Sequence, residues 1–196
     1  MGWPSDERIP KLVLIKHSLP SIDRTKPAAA WQLSPEGVER CRRLAPYLTD
    51  FLPAVLVSSV EPKARATADH VVERLALTAT TADGLEEQHR VTAPFLSYSA
   101  FQRAMRRLFE RPAELVFGEE TAEAASTRFS MAIDRLLTEH QDRNVLVVTH
   151  ATVISLYLGR YAGTDPYAWW EKLGLPSFVV VDRDTMRIEK SEWQIA

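Results

Sequence analysis

The sequence has almost no cysteine, no long hydrophobic run and no large excess of charge of either sign. Cys41 is the single thiol among 196 residues, which excludes an internal disulfide and a cysteine-based zinc cluster. No apolar stretch reaches the roughly 20 residues that a membrane-spanning helix needs. The formal net charge is −2, which gives no global basic field for nucleic acid or an anionic membrane. We therefore expect no nucleic acid partner and no membrane partner.

The remaining composition is typical of an ordinary globular domain. Hydrophobic residues make up 45% of the chain and charged residues 26%. The length suits one domain, 1–196, with a full core. The first ten residues lack the basic start and apolar stretch of a signal peptide, so we expect a cytoplasmic protein. Cys41 falls on the apolar face of a predicted helix and is expected in the core.

Short apolar runs alternate with amphipathic segments along the chain. Strands are predicted at 11–15, 54–59, 144–150 and 177–183, a more exposed strand and turn within 78–87, and helices at 35–48, 62–76, 120–139 and 151–163. Ser34 and Pro35 form a typical helix start, with an N-cap hydroxyl and a proline in the first turn. This alternation predicts an α/β fold, a sandwich of three layers (α/β/α) around a mostly parallel sheet.

Two histidines follow directly after apolar strands that lie far apart in the sequence. His17 ends the run LVLIKH and His150 ends NVLVVTH, while the strand between them ends in two serines at 58–59. Ligands of open α/β sheets bind at this carboxyl edge. Lys16 and Lys63 add positive charge there, and lysines and helix N-termini bind phosphate. Because a neutral imidazole can attack phosphorus, the pattern indicates a phosphate site.

Five stretches resemble, in the same order, the motifs of the histidine phosphatase superfamily, the phosphoglycerate mutase-like group. They are LVLIKHSLP (12–20), LSPEGVERCRRLAPYL (33–48), VSSVEPKARATA (57–68), GLEE (84–87) and VLVVTHATVISLYL (145–158). The segment GEETAEAASTRF (118–129) is similar to a further motif of that family. The resemblance implies a metal-independent phosphatase without a cofactor, acting on a small phosphorylated substrate, a phosphomonoester, through a phosphohistidine.

The resemblance also implies a role for each matched residue. His17 would be the nucleophile, Glu87 the acid that protonates the leaving oxygen, and His150 a ligand of the phosphoryl oxygens. The implied phosphate-binding residues are Lys16, Lys63, Ser18 and Ser59. Glu86 is the adjacent carboxylate, and two neighbours in an extended segment cannot both face the pocket. The motif favours Glu87.

Lysines stand where the family motifs have arginines, at Lys16 and Lys63. Lysine keeps the positive charge but lacks the two-pronged geometry of arginine, so we expect a slower enzyme or an altered substrate. The alternative is a catalytically impaired protein on the same fold that binds a phosphate ligand or a partner. A mutase fits less well, because family mutases are usually longer and carry both arginines. A protein phosphohistidine phosphatase fits less well, because such members tend to lack a long insertion.

Residues 89–118 differ in character, because they mix aromatics with arginines. By the resemblance, this segment is a small helical insertion, or cap, over the active site. His89, Arg103 and Arg107 are the candidates for substrate specificity, as contacts to a second anionic group. A solvated basic face paired with glutamates is the alternative for the arginines. The aromatic-rich C-terminal third leaves room for a homodimer.

Overall fold

Six strands pair into one mixed sheet in the computed structural model, which describes residues 10–196. The strands are β1 (Lys11–Lys16), β2 (Ala54–Ser58), β3 (Ala79–Thr81), β4 (Asn144–Thr149), β5 (Ser177–Asp182) and β6 (Ile188–Glu192). Their order across the sheet is β3-β2-β4-β1-β5-β6. The first four in that order are parallel, while β5 and β6 run antiparallel to their neighbours. The predicted mostly parallel sheet is confirmed.

Within residues 10–196, six α-helices surround this sheet. They are α1 (Pro35–Leu48), α2 (Pro62–Leu75), α3 (Tyr98–Glu110), α4 (Ala122–Glu139), α5 (Ala151–Ala162) and α6 (Pro166–Lys172), with short 3-10 turns at Ala28–Ala30 and Thr49–Phe51. The sequence patterns identified α1, α2, α4 and α5 close to these bounds. They predicted α3 only as part of a helical insertion, and they did not predict α6.

The two faces of the sheet carry two separate cores, as a three-layer sandwich requires. Leu12 and Leu14 of β1 pack with α4 and α5 residues such as Phe129. Val13 of β1 faces the other side, where it packs with α1 and α2 residues such as Leu44. Because successive side chains of a strand point to opposite faces, the continuous apolar run of β1 serves both cores.

The insertion packs on the core through α3. Met105 of this helix is fully buried in the core cluster that includes α4 and α5. Phe101 and Phe109 lie against Trp170 of α6, with ring centroids 5.7 and 6.3 Å apart. Trp169 lies against Trp193 at 4.7 Å. The aromatics of the insertion and of the C-terminal third therefore pack against one another within the chain.

The start of α1 holds the loop that follows β1. The Ser34 hydroxyl accepts a hydrogen bond from Gly37 N (3.0 Å) and donates to the carbonyl oxygen of Leu19 (3.1 Å). The Ser18 hydroxyl donates to the carbonyl oxygen of Gly37 at 2.7 Å. A Cβ atom on Gly37 would lie 2.1 Å from the carbonyl oxygen of Leu19. Glycine is required here because the two backbones approach so closely.

We expect Gly37→Ala to lower the free energy of unfolding by about 1–3 kcal/mol. Alanine in a helix interior normally stabilises by about 1 kcal/mol over glycine, but here the added methyl meets backbone, which cannot rotate away. Denaturant unfolding measures the difference. Glu39→Ala, on the exposed side of the same helix, is the control and is expected to stay within about 0.5 kcal/mol. A Gly37→Ala protein as stable as the wild type would contradict the close approach.

Candidate active site

Parallel strand pairing brings the two histidines side by side. His17 N donates to the carbonyl oxygen of Thr149 at 2.9 Å, which continues the β1–β4 ladder by one residue. Ser59 N donates in the same way to Val148 O at 2.9 Å. The rings of His17 and His150 lie 5.1 Å apart between centroids, at 61° to each other. The carboxyl ends of β1, β2 and β4 thus form one cluster.

His17 has the hydrogen-bonding pattern of a nucleophile. Its Nδ1 lies 2.8 Å from the carbonyl oxygen of Ser18, and because a carbonyl only accepts, Nδ1 carries the proton. The lone pair is then on Nε2. Burial, followed by the positive charges of nearby groups such as Lys63, lowers the pKa of His17 well below its ordinary value. The imidazole is therefore neutral near neutral pH.

His150 is buried more deeply, with no exposed surface. Burial is the largest cause that lowers its pKa well below the ordinary value, and the positive charges of Lys63 and Arg90 follow. Its Nε2 lies 3.0 Å from the Ser59 hydroxyl and 3.6 Å from Oε1 of Glu61. Its Nδ1 has no hydrogen-bond partner within residues 10–196. A second neutral imidazole therefore stands beside the first.

His17 lines a cavity of about 120 Å³ at the edge of the sheet, whereas the fully buried His150 and Ser59 are not part of its lining. The lining residues are His17, Pro20, Ala28, Ala29, Trp31, Glu61, Lys63, Glu87, Gln88, His89, Arg90 and Val91. One part of the wall is polar and charged, and the other part is apolar. The cavity can therefore hold a charged group at His17 and an apolar group beside it.

Glu87, rather than Glu86, belongs to this lining. Its Oε1 accepts from Gln88 N (2.8 Å), and its Oε2 accepts from Thr152 N in the first turn of α5 (3.3 Å). Arg90 Nη2 lies 3.5 Å from the same Oε2. Glu86 instead accepts a hydrogen bond from Gly84 N (2.7 Å), and its Oε2 lies 3.4 Å from the guanidinium of Arg128.

Arg128 of α4 fixes the loop that carries Glu87. Its guanidinium is bidentate to Glu120, with two distances of 2.8 Å. The remaining donors reach the carbonyl oxygens of Gly84, Glu86 and Glu87 at 3.0–3.1 Å. Sequence reasoning gave this arginine no role, although it lies in the segment 118–129 that resembles a family motif.

The two lysines have different surroundings. Lys16 Nζ donates to the carbonyl oxygen of Leu173 at 2.6 Å, and burial lowers its pKa to about 8. Lys16 is not among the cavity-lining residues. Lys63 lines the cavity, where its ammonium pairs with Glu61 and donates to Ala28 O at 2.9 Å. The sequence analysis did not predict Glu61 as a site residue. In the sequence it is only an acid at the start of a helix, two positions before Lys63.

Ser18 and Ser59 form hydrogen bonds to neighbouring protein groups. The Ser18 hydroxyl is fully buried against Gly37, and Ser18 N donates to Thr67 Oγ1 at 3.0 Å. Ser59 Oγ accepts from Glu61 N at 3.2 Å and lies next to His150 Nε2. Ser18 thus shapes the loop after His17, while Ser59 orients the imidazole of His150.

Of the three specificity candidates, His89 lines the cavity and the two arginines do not. His89 is half-exposed, and its backbone N donates to Glu120 at 3.0 Å. Arg103 is exposed on α3, and Arg107 forms an ion pair with Glu114. Arg90, whose guanidinium lies 5.4 Å from the Phe101 ring centroid, is the cation that the insertion brings to the cavity.

No group of three or more His, Cys, Asp or Glu side chains within residues 10–196 is arranged to hold a metal ion. No helix in this range has both the length and the apolar character needed to cross a membrane.

We predict that the two buried histidines make stability depend on pH. Both are neutral in the fold, so the unfolded chain binds more protons once the pH falls below about 6.5. The free energy of unfolding should fall by about 1 kcal/mol per histidine between pH 6.5 and 5.5. His17→Gln should remove about half of this loss, as measured by urea unfolding at both values. His70→Gln keeps both buried histidines and should retain the full loss, and an equal loss in both variants would contradict the assignment.

Solved phosphatase structures share this fold. A mycobacterial glucosyl-3-phosphoglycerate phosphatase superposes with a TM-score of 0.76 at 19% identity, covering 96% of this chain and 100% of that one. Phosphoserine phosphatase from Entamoeba histolytica, in complex with 3-phosphoglyceric acid, gives 0.75 at 14%, covering 94% and 97%. The α-ribazole phosphatase from Shigella flexneri gives 0.70 at 20%, covering 94% and 95%.

Sequence comparison places the chain in a family. No curated protein sequence matches it significantly. The family model described as histidine phosphatase superfamily (branch 1) matches residues 14–196, nearly the whole chain. Its match begins within β1 and includes both strand-end histidines. The chain therefore belongs to the histidine phosphatase superfamily.

Proposed function

We propose that the protein is a phosphatase that hydrolyses small phosphomonoesters through a phosphohistidine at His17. The observation that carries the proposal is a neutral imidazole whose Nε2 lone pair is not used by its one backbone hydrogen bond. This imidazole lines the same cavity as a carboxylate, Glu87, and a cation, Lys63.

In the first half-reaction, Nε2 of His17 attacks the phosphorus atom in line with the ester oxygen. The new P–N bond forms as the P–O bond to the leaving group breaks. Glu87 donates a proton to the leaving oxygen, which departs as an alcohol. The proton on Nδ1 of His17 stays hydrogen-bonded to the carbonyl oxygen of Ser18, which holds the ring in one orientation.

In the second half-reaction, water attacks the phosphorus of the phosphohistidine. Glu87 accepts a proton from this water, the P–N bond breaks, and inorganic phosphate leaves. The amide hydrogens of Gln88 and Thr152 keep the carboxylate in place throughout. This scheme uses no metal and no cofactor.

Charge on the phosphoryl oxygens is stabilised by the groups that face the cavity. Lys63 and Arg90 supply positive charge, while His150 is fully buried beside His17 and does not line the cavity. Lys16 donates to the carbonyl oxygen of Leu173 and does not line the cavity, so it contributes only its positive charge. The amide of Gln88 is already occupied by three backbone carbonyl oxygens.

The size of the cavity favours a small substrate. About 120 Å³ suits a phosphoryl group and the atoms next to it. The apolar wall contains Pro20, Trp31 and Val91, which can contact the organic part of the substrate. The structural neighbours named above are phosphatases, and this supports the same reaction class here. Residues 89–91 are the part of the insertion that we propose to contact substrate.

A second candidate is a catalytically impaired protein that binds a phosphate ligand. The observation that favours it is that both lysines already have partners within the protein. Lys16 donates to a carbonyl oxygen, and Lys63 pairs with a carboxylate. Against it, His17, Glu87 and the cation Lys63 all line one cavity. The homodimer and the cytoplasmic location stay predictions.

We predict that the protein hydrolyses p-nitrophenyl phosphate without added metal and that His17→Ala abolishes this turnover. Alanine removes the nucleophile, so kcat should fall by about 10³-fold or more. Glu87→Gln should lower kcat by about 10²–10⁴-fold through loss of proton transfer. His70→Ala, on the outer side of α2, is the matched control and should keep wild-type turnover. Full turnover in the folded His17→Ala protein would contradict the proposed reaction.

A further inference from the structure

Glu61 is a buried carboxylate on the cavity wall that no step of the proposed reaction uses. Its side chain is 7% exposed, and it lines the cavity together with His17. Glu61 is the N-cap residue of α2, but its side chain makes no capping hydrogen bond to that helix. The carboxylate is turned instead toward the site, where burying a charge is costly unless the charge is paired.

The groups around this carboxylate are those that bind phosphoryl oxygens. One oxygen, Oε2, pairs with the ammonium of Lys63. The other, Oε1, accepts a hydrogen bond from Glu87 N at 2.9 Å and lies 3.6 Å from Nε2 of His150. An ammonium, a backbone amide and an imidazole together form an ordinary oxyanion site. Because Lys63 lines the cavity, a phosphoryl group at His17 would have to share its ammonium with Glu61.

The carboxylate also changes the charge of the cavity. Within residues 10–196, its lining contains two cations, Lys63 and Arg90, and two carboxylates, Glu61 and Glu87. His17 and His150 are neutral, so the lining has no net charge while Glu87 is ionised and one positive charge when Glu87 carries the proton that the first half-reaction uses. A phosphate dianion thus enters a site with little net positive charge, although the sequence resemblance implies a phosphate-binding cation at Lys63.

We propose that Glu61 is a specificity-determining residue that competes with the phosphoryl group for Lys63. Bare inorganic phosphate binds weakly as a result. A phosphomonoester binds productively when its organic part gains contacts with the apolar wall formed by Pro20, Trp31 and Val91. The substrate class is therefore a phosphomonoester with an apolar or aromatic part next to the ester oxygen. This inference rests on the proposed function for its assignment of the cavity as the phosphate site.

The test is titration calorimetry with inorganic phosphate at pH 7 on the wild type and on Glu61→Gln. Glutamine has the same size and keeps an oxygen that accepts the hydrogen bond from Glu87 N, but it removes the negative charge. The dissociation constant for phosphate should fall by about tenfold, because a unit charge within a few ångströms in a partly buried site is weakly screened. Glu73→Gln makes the same charge change on the exposed side of α2 and should leave the constant unchanged.

An unchanged or weaker affinity in a folded Glu61→Gln protein would overturn the inference, and so would the absence of phosphate binding in both proteins. Glu61→Asp provides a second variant if the glutamine protein does not fold. It withdraws the carboxylate from Lys63 and should also bind phosphate more tightly than the wild type does, and an unchanged or weaker constant would again count against the competition.

Turnover of p-nitrophenyl phosphate by the wild type, measured in parallel, separates the two proposals. Tighter phosphate binding in Glu61→Gln without any wild-type turnover would support the inference and contradict the phosphatase. Turnover with an unchanged phosphate constant would support the phosphatase and overturn the inference.

Discussion

The parallel pairing of β1 with β4 is the constraint on which the rest of the site depends. Lys16 lies opposite Thr149 in this register, so the next residue of each strand, His17 and His150, leaves the sheet at the same height. Both strands are buried on both faces, and a slip of one residue would exchange the side chains of the two cores. The hydrophobic cores therefore fix the position of the imidazoles, although neither core contains His17 or His150.

Burial at this edge then determines the chemistry. Withdrawal from water keeps both imidazoles neutral, as a nucleophile requires. The cations near them are each tied to a partner: Lys16 to a carbonyl oxygen and Lys63 to Glu61. A lysine ammonium is a compact charge that one carboxylate can neutralise, whereas an arginine has five donors to share. Lys63 and Glu61 thus form one arrangement, a compact cation and the carboxylate that pairs with it.

Much of the fold could be read from the sequence, because strands and helices alternate with distinct periodicities. The apolar runs of β1, β2 and β4 predicted the edge at which His17 and His150 meet. The α6 helix gave no such signal, since its seven residues span less than two turns. Glu87 was favoured over Glu86 by a motif alone, and the structure adds the reason that Glu87 is the one that lines the cavity.

Long-range contacts of polar side chains were beyond sequence reasoning. Lys16 reaches a carbonyl oxygen 157 residues away along the chain, and no local pattern encodes that partner. Arg107 faces a nearer carboxylate, Glu114, so it does not extend toward the cavity. Glu61 looked like an ordinary acid at a helix N-terminus, where acids are common because of the helix dipole. Only the geometry shows that its carboxylate points at the site.

The central claim, that His17 is the residue that takes the phosphoryl group, is tested most directly by trapping the intermediate. The protein is mixed with ³²P-labelled substrate, quenched within the first turnover in alkali, digested and mapped by mass spectrometry. We expect an acid-labile, base-stable label on the peptide that contains His17, and no label in His17→Ala. A label on any other residue, or turnover by the wild type with no labelled protein at any quench time, would contradict it.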